Sequence, residues 1–276
     1  MNHDTLTLLR TKAKIIRKDV MQMLHYAGSG HPGGSLSAAD IVAALYFHEM
    51  RLNPKSPNWP QRDFFVLSKG HSCPVVYAAL AESGFFSKDW YNGLRHINGA
   101  LQGHPDRKKT PGIEFNSGSL SQGFSFGLGR ALAYKHTKDT NRVYILMGCG
   151  EQDEGQVWEG AMFGAHYKLN NVLAIVDYNQ LQSDDTNDHI MMLKPLAEKW
   201  RSFGWNVFEI DGHNMEQILG AFADARGIRL KPSVIIASTI KGKGVSFMEN
   251  VPKWHGSLAP TADELKLAMA ELDNDQ

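Results

Sequence analysis

The chain has 276 residues, 42% of them hydrophobic and 21% charged, ordinary values for a globular protein able to bury a sizeable core. Its 29 Lys and Arg residues balance 29 Asp and Glu residues, which excludes a global field that would favour nucleic acid or an anionic membrane. The two cysteines, Cys73 and Cys149, lie far apart with no CxxC spacing, which argues against a disulfide framework or zinc site and fits a reducing cytoplasm.

The N-terminus, Met1-Asn-His-Asp-Thr-Leu, lacks the basic and apolar runs of a secretory signal. No apolar stretch approaches the roughly 18 to 20 residues of a bilayer span, so a soluble, cytoplasmic protein with no membrane partner is expected. Residues 6–26 carry Leu9, Ala13, Ile16, Val20, Met23 and Leu24 at helical spacing. A second helix is predicted over 37–48, opened by Ser37 as a cap with Asp40 three residues on, followed by Ile41, Val42, Leu45 and Tyr46. Residues 64–68 read as a buried strand. The stretch 102–122 is Gly-, Pro- and Ser-rich and weakly periodic, the mark of a functional loop. Further strands are predicted at 143–147, 172–176, 207–210 and 234–238, with helices at 155–167, 195–203 and 263–272 and a frayed end at 273–276. Two basic clusters, Arg107-Lys108-Lys109 and Lys241-Gly-Lys243, admit either a solvated loop or an anion site.

Strands alternating with helices predict an α/β fold: a mostly parallel, twisted sheet with helices on both faces, taken as one domain over 1–276. Ligands of such sheets bind at the carboxyl ends of the strands. One strand ends in Met147-Gly148-Cys149-Gly150-Glu151, directly before a helix. Its glycines let backbone N–H groups approach an anion, although such a turn more often serves only to join strand to helix. The next strand ends in Asp177-Tyr178-Asn179-Gln180-Leu181.

A Gly-x-Gly turn at one strand end and an Asn at the next resembles the bipartite thiamine-diphosphate motif, in which Gly-Asp-Gly and a downstream Asn hold a divalent metal on the diphosphate. The likeness widens along the chain. Gly28-Ser-Gly-His31-Pro-Gly-Gly, Ser68-Lys-Gly-His71, Gln102-Gly-His104-Pro, Ser117-Gly118-Ser-Leu120 and Glu154-Gly-Gln-Val-Trp-Glu159 look like the N-terminal section of transketolases, and the resemblance runs from about residue 10 to 257.

The resemblance implies the diphosphate-binding domain of the thiamine-diphosphate fold, in a transferase that moves a two-carbon ketol unit between sugar phosphates. It implies that His31, His71, His104 and His255 ring the reacting carbons as imidazoles titrating near neutrality. Cofactor contacts carry over to His71, Gly118, Leu120, Gly150, Glu154, Asn179 and His255. Glu154 and Glu159 also match acidic residues of the family's subunit-interface network. Metal ligation carries over to Asn179, the Leu181 carbonyl and position 149, for Mg2+, Mn2+ or another divalent ion. His3, His25, His48, His136, His166 and His189 match no motif and are given no role.

Two departures stand out. Cys149 occupies the place of the metal-binding Asp, and a thiol is a poor magnesium ligand; neither Glu151 nor Asp153 can be assumed to substitute. Nearby, Asp185 stands where the family usually has Gly, a smaller difference. The second departure is length: in single-chain transketolases a pyrimidine-binding domain and a C-terminal domain follow this section. A split enzyme is therefore expected, two copies of this chain with two of a C-terminal transketolase subunit. The competing readings are a subunit of another thiamine-diphosphate enzyme, such as a deoxyxylulose-phosphate synthase, and a degenerate, non-catalytic or regulatory paralogue.

Overall fold

A computed structural model describes residues 2–274. The elements run α1 (His3–Ala27), α2 (Pro32–Ser37), α3 (Ala39–Ala44), β1 (Phe64–Leu67), α4 (Cys73–Glu82), α5 (Gln122–Thr137), β2 (Val143–Gly148) and α6 (Gly155–His166). After these come β3 (Val172–Tyr178), α7 (Asn187–Ile190), α8 (Leu196–Ser202), β4 (Asn206–Asp211), α9 (Met215–Gly227), β5 (Ser233–Ser238) and α10 (Ala262–Asn274). All five expected strands form, in one sheet of order β1-β2-β3-β5-β4 with every pairing parallel.

The strands lack polar alternation because both faces of the sheet are covered. Phe65, Leu67, Tyr144, Leu146, Leu173 and Ile175 face one core, shared with α1, α3, α4, α9 and α10. Phe64, Val66, Val143, Ile145, Val172 and Ala174 face the other, shared with α5, α6 and α8. Register keeps the two sets apart, Val143 beside Val172 and Ile145 beside Ala174, since a one-residue slip would exchange the faces.

Helix α1 follows its sequence pattern. Asn2 caps it by accepting from Asp4 N, its buried stripe includes Leu9, Ala13, Ile16 and Val20, and Gly28 ends it at φ 64°. The helix expected over 37–48 is broken. Ser37 ends α2 instead of capping a helix, because its hydroxyl donates to the buried Asp177 at 2.6 Å. Asp40 makes no cap either: it pairs with Arg17 and His213. Residues Leu45–Glu49 widen into a π-type turn. Helices α4, α5 and α9, with the short α2 and α7, add to the expected set. The loop reading of 102–122 holds as far as Ser121, after which α5 begins at Gln122. Of the end expected to fray, Asp273 and Asn274 lie in α10, and Asp273 is bound by Lys18; Asp275 and Gln276 lie outside the described residues.

Candidate active site

The carboxyl ends of the strands open into one cleft. His71 enters it from the turn after β1, the Gly148-Cys149-Gly150 turn from β2, Asn179 and Leu181 from β3, and Lys241 from the loop after β5. Gly118, Leu120 and His255 complete it from the long loop and from the segment before α10. Of the residues expected to bind cofactor, only Glu154 stands apart, exposed at the start of α6; Glu159 lies in a separate groove between α5 and α6.

Buried carboxylates tie these loops together. Glu151 is 1% exposed. It accepts from Ser121 N at 2.8 Å, from Gly148 N at 3.1 Å and from the Ser68 hydroxyl, so it ties the ends of β1 and β2 to the long loop before α5 and is not free to bind a metal. Burial pushes its carboxyl up to about 6. Asp177 is the second tie. It accepts from Lys69 Nζ at 2.5 Å, Ser37 Oγ at 2.6 Å, Asn179 Nδ2 at 3.0 Å and the Thr239 hydroxyl. Burial alone would raise its pKa, but the charge and hydrogen bond of Lys69, with the two hydroxyls, hold it below the usual range.

Three of the four expected histidines meet. Ring centroids lie 5.1 Å apart for His31 and His71, 5.7 Å for His31 and His255, and 5.4 Å for His71 and His255. His104 is exposed and borders the cleft, its ring 3.7 Å from where a Cβ at Gly118 would lie. A Cβ at Gly256 would come within 2.5 Å of the His31 ring, so any larger residue there must displace that ring.

Their ionisation departs from expectation. Burial, reinforced by Arg95, His104 and Lys241, brings His31 down to about 4; burial with Lys241 brings His255 to about 3. His71 falls well below its usual value through burial and Lys69, and His104, although its side chain is exposed, is lowered by partial desolvation and by Arg95. The rings are neutral at pH 7, not poised near it, because desolvation opposes the cation and their neighbours are cationic.

Lys241 resolves one ambiguity of the sequence. It is 2% exposed, and its ammonium donates to the carbonyls of Leu181 and Gln182, both at 3.0 Å, and to His255 Nδ1 at 2.7 Å. Nδ1 is thereby the acceptor, which leaves His255 its proton on Nε2. Burial brings the ammonium down to about 8. Arg107, Lys108 and Lys109, by contrast, are a solvated loop. The sequence reading also passed over His213. Its Nδ1 meets Asp40 at 2.7 Å and its Nε2 accepts from Ile240 N at 2.8 Å, which fixes the loop that carries Lys241. An Asp-Gly-His turn directly after a strand was the available signal.

The expected metal ligands do converge. Cys149 Sγ lies 3.5 Å from Asn179 Oδ1 and 3.6 Å from the Leu181 carbonyl oxygen. As a donor set for magnesium they fit poorly. Burial pushes the Cys149 thiol up, which favours its protonated form; Leu181 O already accepts from Lys241; and Asn179 Oδ1 accepts from Leu181 N at 3.2 Å. No cluster of three or more His, Cys, Asp or Glu stands ready for a metal among the described residues. For a diphosphate the same place fits well: a Gly-x-Gly turn open to close approach, an ammonium and a carboxamide.

Comparison with known proteins agrees with this geometry. The sequence matches the family described as "Transketolase, thiamine diphosphate binding domain" over residues 9–275. The 6-deoxy-6-sulfo-D-fructose transketolase subunit SqwG of Clostridium sp. (strain MSTE9) is 44% identical, with 97% of each chain covered. One of the subunits of the apulose-4-phosphate transketolase of Phocaeicola vulgatus is 42% identical over 93% of this chain and 90% of that protein. Transketolase of Homo sapiens is 40% identical over 92% of this chain, yet only 40% of the human protein is covered. The solved transketolase from Leishmania mexicana superposes with a TM-score of 0.92 at 28% identity, covering 97% of this chain and 41% of that one. The chain thus spans nearly the full length of the two subunit relatives and about two fifths of the human and Leishmania proteins.

Proposed function

The chain belongs to the transketolase thiamine-diphosphate-binding domain family, and from that premise we propose that it is the diphosphate-binding subunit of a two-chain transketolase. In this reading the whole chain acts as one diphosphate-binding unit. A partner carrying the pyrimidine-binding half completes the cofactor site, in a heterotetramer with two copies of each chain. The enzyme transfers a two-carbon ketol unit between sugar phosphates in the cytoplasm. The subunit relatives, matched over nearly their full length, support the split. Two unpaired, buried cysteines support a reducing compartment.

The single observation that carries the reading is the meeting of His31, His71 and His255 beside the Gly148-Cys149-Gly150 turn, Asn179 and Leu181 at the strand ends. When bound, thiamine diphosphate supplies the nucleophilic thiazolium carbon and the electron sink. The protein supplies position and field. Gly150, Asn179 and Lys241 hold the diphosphate, and Gly118 and Leu120 contact the aminopyrimidine side. The neutral imidazoles bind sugar hydroxyls. His255 presents Nε2–H because Lys241 occupies Nδ1. No step is assigned to a divalent ion. The intact histidine set favours catalysis over a degenerate paralogue, and the names of the relatives favour ketol transfer over deoxyxylulose-phosphate synthesis.

Reconstitution tests the proposal. The purified chain is expected to show no ketol transfer alone, and transfer once thiamine diphosphate and a pyrimidine-binding transketolase subunit have been added. Activity of the chain by itself would overturn the split, and inactivity of the reconstituted pair would overturn the catalytic assignment.

A further inference from the structure

The strand-end cleft holds a cation of its own at the place where a divalent ion would be ligated. Lys241 Nζ sits 3.0 Å from the Leu181 carbonyl oxygen, the backbone group expected to bind metal, and a second carbonyl and His255 Nδ1 complete its shell. Cys149 Sγ stands 3.6 Å from the same oxygen, where the family motif has a carboxylate. Among the described residues, the carboxylates nearest in the chain and the cleft are all engaged elsewhere. Asp177 is saturated by Lys69, Ser37, Asn179 and Thr239, Glu151 holds the loop ends, and Asp153 turns outward to Gln182 at 2.9 Å.

A hard divalent ion needs several oxygen donors, at least one usually anionic. Here it would find a thiol, a carbonyl already engaged by an ammonium, and one carboxamide. An anionic diphosphate needs only positive charge and N–H donors, and a buried ammonium makes charge-assisted hydrogen bonds of roughly twice the strength of neutral ones. Lys69 cannot share this task, since Asp177 neutralises it. Among the described residues Lys241 has no carboxylate partner within ion-pair distance, so its charge is available.

We propose that the Lys241 ammonium, not a divalent ion, supplies the main counter-charge to the diphosphate in this chain, making cofactor binding independent of magnesium. This rests on the thiamine-diphosphate assignment proposed above. Cys149 leaves the metal without its carboxylate anchor, while the Lys241 charge stands beside the same carbonyl oxygen.

Calorimetric titration of thiamine diphosphate into the full chain, alone and with its partner subunit, separates the possibilities. The expected result is a Kd that differs by less than about threefold between magnesium chloride and EDTA. Lys241→Met should weaken binding more than about tenfold in both buffers, and Lys241→Arg should restore most of it. Cys149→Asp should create metal dependence, with magnesium tightening binding by about tenfold or more. Binding by the wild-type chain only with magnesium, or tightening of about tenfold by manganese or cadmium, would overturn the inference and leave the cofactor assignment standing. Unchanged binding by a folded Lys241→Met variant in EDTA would also overturn it. No binding in any buffer would overturn the cofactor assignment itself.

Discussion

Replacing Lys69 by methionine tests how the cleft floor is held. Methionine keeps most of the side chain's length and apolar volume and removes only the ammonium. The side chains of Lys69 and Asp177 are 2% and 0% exposed, with Nζ and Oδ2 2.5 Å apart. The substitution leaves Asp177 hydrogen-bonded to Ser37, Thr239 and Asn179 but without a counter-ion. Breaking a buried pair by removing one partner costs about 3–5 kcal/mol, because a charge stays in a site of low dielectric. That is a large share of the roughly 5–15 kcal/mol that holds a domain together. At about 2–4 °C per kcal/mol for a chain approaching this size, the melting temperature should fall by roughly 6–20 °C. Adding Asp177→Asn removes the orphaned charge, and the double variant should recover about 2 kcal/mol or more of the loss. Thermal and urea unfolding of the four proteins of the cycle, followed by circular dichroism, provide the measurement. A Lys69→Met melting point within about 2 °C of wild type, or a double variant no more stable than the single, would refute the argument.

Two further predictions concern the histidines. His31 and His255 titrate at about 4 and about 3 in the folded chain, against about 6.5 unfolded, so the unfolded chain binds more protons between those values. Their contribution to stability is fully present above about pH 6.5 and is lost as pH falls through the folded values. NMR titration of the imidazoles should show no inflection near 6.5 for either ring, and such an inflection would contradict their neutrality. Gly256→Ala places a Cβ 2.5 Å from the His31 ring at a position outside the left-handed region, so the substitution acts on the ring and not through backbone strain. A displacement of His31 by about 1 Å should lower kcat/KM of the reconstituted enzyme about a hundredfold. Undiminished kcat/KM would show that the position of His31 does not matter to the reaction.

The sheet was legible because burial on both faces leaves its mark in single strands. Phe64–Leu67 is buried at every position, and no helix of that length and composition would form without a partner. The helices missed have physical reasons of their own. In α4 the residues from Cys73 to Ala81 are all buried, so no polar face gives contrast to a 3.6-residue period. Helix α5 carries Gly123 and Gly127 on its sheet-facing side, where a Cβ at Gly127 would come within 2.6 Å of Ile145; glycine lowers the helical signal at the places where packing demands it. Helix α9 had ordinary signals, an Asn214 cap followed by Met215, Ile218, Leu219 and Phe222, and could have been read.

The site divides in a similar way. Its location follows from topology, since parallel strands deliver their carboxyl-end turns to one edge, and the Gly-rich histidine motifs sit in or beside those turns. Its charge state does not follow from local sequence. Lysine is rarely fully buried, and what buries Lys241 is a set of acceptors supplied by Leu181, Gln182 and His255, brought together only by the finished sheet. The same closure strips water from the imidazoles and lowers their pKa values, so a residue type read as a neutral-pH proton carrier becomes a neutral hydrogen-bonding group. Cys149 is the converse case. Its mismatch with a metal site is visible in one letter, whereas the cation that answers it lies far downstream and is recognisable only by the carbonyl both groups approach. A single departure at a motif position is therefore weak evidence of lost function until the groups folded against it are known. Here those groups preserve positive charge beside the glycine turn, the property that a diphosphate requires.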